Sequence, residues 1–352
     1  MSGSQFSIDG RKIGDGCAPY VIAEMSGNHN GDIGRAFALI EAAKAAGADA
    51  VKLQTYTADT ITIDHDSAEF TICGGLWDGR RLHELYREAH TPWEWHKALF
   101  ARAREIGITI FSTPFDFSAV DFLEELEAPA YKIASFELID LPLIRKVAAT
   151  GKPLIMSTGM ANAAEIDEAV AAARSTGNEQ IVLLHCVSAY PARTEEANLR
   201  TIPDIAERFG VAAGLSDHTM GIEVSLAAVA VGAVVIEKHF TLARADGGPD
   251  AAFSLEPPEL ALLCSGCRIA WQALGSASYD RTAGEAENVI FRRSLYVVRD
   301  IAAGELFASD NLRSIRPGYG LPPKHYDELL GRRATRNLAR GTALTWDMVD
   351  PS

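Results

Sequence analysis

Gly214-Leu215-Ser216-Asp217-His218-Thr219 closes one apolar run of the chain, and Val234-Val235-Ile236-Glu237-Lys238-His239-Phe240 closes the next. Between them, the Ala- and Val-rich stretch 221–232 has the length of a helix. Strand, helix and strand in that order, with so short a crossover, set the two strands side by side and parallel. A histidine then stands at the C-terminal end of each neighbour. Two imidazoles brought together beside carboxylates suit a divalent ion of the Mn²⁺ or Mg²⁺ kind, with nitrogen and oxygen ligands. One histidine at a strand end is ordinary polar decoration. The pair at matching positions carries the reading.

The same unit recurs outward from this stretch. Apolar, β-branched runs occupy 20–25, 50–56, 108–115, 130–136, 153–160, 181–190, 211–218 and 234–240. Helical spacing of apolar residues follows them at 33–46, 92–106, 119–126, 141–150, 163–175, 198–209, 222–231 and 256–274. Eightfold alternation of strand and helix predicts an α/β fold, a (β/α)8 TIM barrel. A doubly wound open sheet is the competing arrangement, but no Gly-x-Gly-x-x-Gly turn follows the first strand. After Gly275 the pattern changes to short turn-rich strands. We therefore expect a barrel domain at 1–280 and a linker with a small second domain at 281–352. From Phe291 onward ten Lys/Arg stand against seven Asp/Glu, a net +3, while the whole chain carries −14.

Composition narrows the function. Of 352 residues 47% are hydrophobic, enough for a sizeable core. The acidic balance argues against nucleic acid and anionic membrane as partners. The N-terminal stretch has neither a basic region nor an apolar one, and no run reaches membrane-spanning length. Five scattered cysteines exclude a disulfide framework, and Cys264-Ser-Gly-Cys267 sits alone in a helical pattern. A cytoplasmic, soluble protein is expected.

Barrel chemistry belongs at the C-terminal strand ends. Those ends hold Glu24, Lys52 with Gln54, Thr113, Lys132 with Ser135 and Glu137, Ser157, and His185 with Ser188 and Tyr190. They continue with Ser216-Asp217-His218 and Glu237-Lys238-His239. Charged groups inside barrel strands are costly unless paired or used, so this density marks an active site. Lys52 and Lys132 among hydroxyls make a cradle for a small phosphate or carboxylate. No P-loop accompanies them. His218, His239 and Glu24 suit the metal, and Glu237 and Asp250 suit proton transfer. The loop Arg244-Ala-Asp-Gly-Gly-Pro-Asp250 is expected to hold Asp246 and Asp250 over the mouth. An insertion at 58–89 reads as a lid, whose Trp77 and Tyr86, with Trp93 and Trp95, suit either a sugar or simple packing.

Taken together, the motifs Ile22-Ala-Glu-Met-Ser-Gly-Asn-His-Asn-Gly31, Val51-Lys-Leu-Gln54, Phe111-Ser-Thr-Pro-Phe115, Tyr131-Lys-Ile-Ala-Ser135, Ser157-Thr-Gly-Met160, Gly214-Leu-Ser-Asp-His218 and Glu237-Lys-His239 resemble the bacterial sialic-acid synthases. Arg316-Pro-Gly318 resembles the type III antifreeze-like (SAF) domain that ends them. The resemblance implies condensation of phosphoenolpyruvate with an N-acetylated amino sugar, on a divalent metal, in a domain-exchanged homodimer. It implies His218 and His239 as ligands with Glu24 nearby, and Lys52, Thr113, Lys132, Ser135, Ser157, Ser216 and Glu237 around phosphoenolpyruvate. Gln54, Tyr190 and Asp250 would face the sugar, and Arg316 would reach its N-acyl group from the partner subunit. Ser188 in His185-Cys-Val-Ser-Ala-Tyr-Pro191, together with Gly75-Leu-Trp-Asp-Gly79 and Leu85–His96, resembles the branch that makes pseudaminic acid rather than neuraminate or legionaminate. Two other classes fit the residues less closely. One is a Schiff-base lyase using Lys132 or Lys238, and the other is an amino-sugar binding protein.

Overall fold

The computed structural model describes residues 5–75 and 77–351. Residues 1–4, Leu76 and Ser352 lie outside them, so the Gly75-Leu-Trp-Asp-Gly79 motif is described without its leucine. The chain divides into two compact units, Met1–Gly275 and Ser276–Ser352.

Strands β1 (Phe6–Ile8) and β2 (Arg11–Ile13) form an antiparallel hairpin. Eight parallel strands follow: β3 (Tyr20–Glu24), β4 (Ala50–Thr55), β5 (Thr109–Pro114), β6 (Tyr131–Ile133), β7 (Leu154–Ser157), β8 (Ile181–Cys186), β9 (Ala212–Asp217) and β10 (Val235–His239). They close into a barrel in chain order, β10 returning to β3. The expected fold class is the observed one, with β9 and β10 paired side by side as the opening stretch requires. The hairpin escaped the sequence reading, because three-residue strands are too short to show alternation.

Side chains of successive strand residues point to opposite faces, and this parity sorts the barrel. Tyr20, Ile22, Ala50, Phe111, Ala130, Ile155, Val182, Leu184, Ala212 and Val235 fill the interior, with Ile8 and Ile13 of the hairpin packed against them. The alternate residues face a continuous apolar jacket of helices. One position of the filling demands glycine. A Cβ at Gly214 would stand 2.3 Å from the Val235 oxygen and 2.8 Å from Leu184 Cδ2.

Several helices start where a loop supplies an acceptor for an unpaired backbone N–H. Asp32, Asp116, Asp140 and Asn162 cap the helices Ile33–Ala46, Phe117–Glu125, Leu141–Ala148 and Ala163–Arg174. Such caps contribute about 1 kcal/mol each and stop the strand-to-helix loops at a defined residue. The 58–89 insertion carries two short helices, Ala58–Ile61 and Leu82–Ala89, before the wall helix Trp93–Ile106. Cys264 and Cys267 are buried in Pro257–Leu274, and burial pushes both thiols up to about 12.

The second unit pairs β11 (Ser294–Val297) with β12 (Leu312–Ile315), antiparallel. Leu295, Val297, Phe307, Leu312, Leu329 and Leu344 form its own core. No described helix is long and apolar enough to cross a membrane.

Two fully buried histidines tie the barrel to its jacket. His96 Nδ1 meets the Pro92 oxygen at 3.1 Å and its Nε2 meets Thr55 Oγ1 at 2.8 Å. His29 Nδ1 accepts the Gly31 N–H at 3.1 Å. Burial lowers both pKa values from 6.5 to about 4. A folded pKa below the unfolded one means that the unfolded chain binds the extra proton, so stability rises with pH between those values. It is fully present above about 6.5 and lost as pH falls towards 4, at about 3 kcal/mol for each ring. Denaturant unfolding at pH 7.5 and pH 5 should show this loss, and His96→Gln should flatten the pH dependence by close to one proton.

Candidate active site

The interior parity that buries Tyr20 and Ile22 brings Glu24 to the top of the same file, and does likewise for Lys52, Gln54, Thr113, Lys132, Ser157, Ser216, Glu237 and His239. Register then makes neighbours of them: Glu24 sits opposite Lys52, His239 opposite Glu24, Gln54 opposite Thr113 and Ser216 opposite Glu237.

Four charges meet at the centre, each 1–4% exposed. Lys52 Nζ lies 2.8 Å from Glu24 Oε2 and 3.6 Å from Glu237 Oε1. Lys132 Nζ lies 3.1 Å from the same Glu237 oxygen, and Ser216 Oγ donates to it at 3.1 Å. Lys52 also donates to Thr113 Oγ1 at 3.1 Å. Burial would raise the Glu237 carboxyl, but the two ammonium groups outweigh it and hold it down at about 2. Glu24, facing one lysine, is raised by burial and by the Glu237 charge. Burial lowers Lys132, with Glu237 opposing. Glu237 Oε2 has no hydrogen-bond partner, nor has Ser157 Oγ.

A second group stands beside this quartet. The His218 and His239 rings are 5.4 Å apart, and Tyr190 packs on His218 at 4.4 Å. His218 Nδ1 donates to the Val187 oxygen at 2.9 Å, which fixes the ring and leaves Nε2 as the nitrogen available to a ligand. His239 Nδ1 is buried without a hydrogen bond, 3.9 Å from Asp250 Oδ2. Burial, reinforced by His218 and Lys52, lowers His239 well below 6.5, so its ring is neutral and free to bind a cation. Among the described residues no three His, Cys, Asp or Glu side chains converge as a ready metal cage. The chemistry of this set therefore fits a two-imidazole site whose remaining ligands are oxygens, including those a substrate brings.

Asp250 reaches the mouth through Ser26, whose hydroxyl also receives Gln54 Nε2 at 3.2 Å, while Gln54 donates to Glu24 Oε1 at 2.9 Å. Ser135 accepts the Gly159 N–H at 3.2 Å. Ser188 Oγ and Ser135 Oγ would lie 2.2 and 2.7 Å from a Cβ at Gly159, so glycine lets these hydroxyls share the space.

Some expectations need correction. Lys238 is not in the mouth: it points outward, 2.8 Å from Asp217 Oδ2, because it lies between two inward residues. That placement removes it as a Schiff-base lysine. His185 also faces outward, 2.7 Å from the Ala197 oxygen, and borders a groove of about 610 Å³ on the outer wall. Asp246 turns away to Arg35 at 2.6 Å. Of the aromatic cluster only Trp77 stands beside a mouth residue, 5.7 Å from Tyr190. Tyr86 packs on Tyr56, Trp93 on Phe122 and Trp95 on His29. Arg316 belongs to the second unit, where it is exposed and unpaired among the described residues.

Three groups were missed. Ser26 holds a left-handed φ of 47° to present its hydroxyl to Asp250. Cys186 is the inward residue at the top of β8, and Sγ lies 3.7 Å from His218 Nδ1. Glu137 was read as a strand-end residue but given no role. Its Oε2 is buried and unpartnered, and burial raises its carboxyl to about 7. Parity would have found Cys186. No sequence signal marks a carboxyl left without a partner.

With this geometry in view, the comparisons are consistent. The model of the NeuB family matches residues 39–279, and that of the SAF domain matches 292–350. The chain belongs to the NeuB family. It is 44% identical over 325 residues to the pseudaminic acid synthase of Campylobacter jejuni, covering 92% of this chain and 95% of that protein. It is 41% identical to the N,N'-diacetyllegionaminic acid synthase of the same species, covering 90% and 96%. The crystal structure of N-acetylneuraminic acid synthetase from Leptospira borgpetersenii superposes with a TM-score of 0.73 at 32% identity, covering 82% of this chain and 95% of that one.

Two substitutions test the site. Gly159→Ala should leave the barrel folded but displace Ser135 and Ser188, lowering catalytic efficiency roughly 10- to 100-fold with little change in melting temperature. Glu137→Gln should act on stability instead. The folded pKa of Glu137 stands above its ordinary 4.5, so its contribution is present below that value and lost as pH rises through about 7. The variant should melt higher than wild type at pH 8 and equal it at pH 4.5, as thermal unfolding at the two pH values would show.

Proposed function

We propose that this chain condenses phosphoenolpyruvate with 2,4-diacetamido-2,4,6-trideoxy-L-altrose and water to give pseudaminic acid and phosphate, with a divalent metal, Mn²⁺ or Mg²⁺. The observation that carries the chemistry is the juxtaposition, in one barrel mouth, of two buried ammonium groups with two facing imidazoles. The choice of sugar rests on the likeness to a pseudaminic acid synthase over most of both chains.

In this reading Lys52 and Lys132 bind the phosphate and carboxylate of phosphoenolpyruvate, aided by Thr113, Ser135, Ser157 and Ser216. The anion takes over part of the pairing that Glu237 supplies to both lysines. His218 and His239 would hold the metal, with Glu24 beside them, and the ion would supply Lewis-acid polarisation of the open-chain sugar's aldehyde. Gln54, Ser188, Tyr190 and Asp250 face the sugar and orient its aldehyde carbon. C3 of phosphoenolpyruvate attacks that carbon, the oxygen gains a proton, and water adds at C2. The tetrahedral intermediate then expels phosphate and leaves the 2-keto acid. Asp250, Glu237 and Glu24 are the carboxyl groups placed to move these protons, and burial keeps them from bulk water. Tyr190 and Phe253 wall the histidines from solvent.

We place the enzyme in the cytoplasm as a homodimer with exchanged SAF domains. Arg316 of one subunit would meet the sugar N-acyl group bound by the other, a use that suits an exposed cation without an acidic partner among the described residues. A second, less favoured reading is a synthase for a legionaminic-type or neuraminic-type sugar, supported by the 41% likeness to a diacetyllegionaminic acid synthase and by the fold shared with an N-acetylneuraminic acid synthetase.

Phosphate release from phosphoenolpyruvate with Mn²⁺ tests both. It should occur with the diacetamido-trideoxy-altrose, stop with chelator, and fail with N-acetylmannosamine. Release with N-acetylmannosamine alone would move the enzyme to the second reading. Release that survives chelator and is trapped by borohydride would replace the metal mechanism with a Lys132 Schiff base.

A further inference from the structure

Behind the histidines, on the outer face of the barrel wall, lies a second buried ion pair that the proposed reaction does not use. Asp217 and Lys238 are cross-strand partners in the register of β9 and β10, and each immediately precedes one of the two histidines. Their side chains are 1% exposed and meet at 2.8 Å. Asp217 Oδ2 also accepts from Ser225 Oγ at 2.6 Å. Its Oδ1 accepts from Thr219 N at 2.9 Å and Thr219 Oγ1 at 2.7 Å. Lys238 Nζ reaches past the aspartate to the Thr219 oxygen at 2.6 Å. The backbone that carries His218 is thus gripped on both sides, by Asp217 before it and Thr219 after it. The grip is anchored on the residue before His239.

We infer that Asp217 and Lys238 are positioning residues that set the spacing of His218 and His239 from behind the wall. The inference rests on the metal reading of that pair. A buried ion pair is a poor source of net stability, since its desolvation offsets its attraction. What a directional, fully satisfied network does supply is fixed geometry. Here β9 ends at Asp217, and beyond it the His218 oxygen takes a backbone bond from Ala192 N–H at 3.0 Å, so the Asp217–Thr219–Lys238 network adds to a single tie on that residue. Two imidazoles that must bind one ion need fixing to a fraction of an ångström, and groups that orient ligands typically govern metal affinity.

The test is the affinity of metal-stripped full-length enzyme for Mn²⁺ alone, read by electron paramagnetic resonance, beside its affinity for phosphoenolpyruvate and its circular dichroism. Lys238→Met/Asp217→Asn removes both charges, so no unpaired ion stays buried. It should fold and keep phosphoenolpyruvate affinity, since Lys52 and Lys132 are untouched, while Mn²⁺ affinity falls about 10- to 100-fold. The absorption spectrum of the Co²⁺-loaded form should change with it. A folded double variant with unaltered Mn²⁺ affinity overturns the inference and leaves the metal site standing. Wild-type enzyme that binds no Mn²⁺ overturns the metal reading, and the inference with it. Should the double variant not fold, Ser225→Ala decides, because it keeps the ion pair and removes one hydrogen bond. A weaker hold on Mn²⁺ supports the inference, and an unchanged one overturns it.

Discussion

The charges at the barrel mouth depend on Glu237 facing two lysines at once, a hydrogen-bonded Lys132 and an ion-paired Lys52. Lys132 and Lys52 approach the same carboxylate oxygen at 3.1 and 3.6 Å, and neither ammonium has bulk water to replace it. Removing Glu237 would leave Lys132 without its only ion-pair partner among the described residues and Lys52 with Glu24 alone. Two lysines and two carboxylates sum to no net charge, which is the condition under which so many ions tolerate burial. The arrangement is nonetheless unfinished. Glu237 Oε2 is unsatisfied and Glu24 is raised toward its neutral form. A protein interior normally pairs such acceptors, so the incompleteness points to a proton donor or a cation as the missing member.

That cluster exists because the barrel sorts residues by parity. A strand buried on both faces gives no hydrophobic alternation to read, and its sequence is simply apolar. Hence the eight strands and most of their helices were legible as runs, whereas the direction of each polar side chain was not. Lys238 shows how the reading went wrong and how it could have been right. Glu237 and His239 were both assigned to the mouth, and strand period two then requires the residue between them to face outward. The same rule puts His185 outside and Cys186 inside. Counting polar residues at strand ends found the right end of the barrel but overcounted the site.

The residues that parity could not place are those held by loops. Asp250 and Asp246 lie four apart in one Gly-rich loop. One reaches Ser26 while the other pairs with Arg35, which also donates to the Asn28 oxygen at 2.8 Å. Arg35 lies in the first wall helix, far from either aspartate in sequence, so its choice of partner is a tertiary fact. Trp77 reaches the mouth because its indole N–H donates to the Pro249 oxygen at 3.1 Å, joining the insertion to the Asp250 loop. Tyr86, equally aromatic and only nine residues on, becomes packing.

The strain in the mouth follows from the same logic. Ser26 and Met160, each just beyond a strand end, hold left-handed φ values of 47° and 66°, which non-glycine residues adopt at a cost. Ser26 recovers part of that cost through Asp250 and Gln54, the residues assigned to the sugar. Met160 has no such return in the protein itself, being exposed beside Gly159 and the crowded pair of Ser135 and Ser188. The strain of Met160, an unpartnered Ser157 hydroxyl and a glycine that exists to make room gather at the end of β7, next to the strand that carries Lys132. The strain of Ser26 lies at the end of β3, beside Glu24 and the histidine strand. Strain and buried charge thus alternate around one mouth, and the closed barrel beneath carries both.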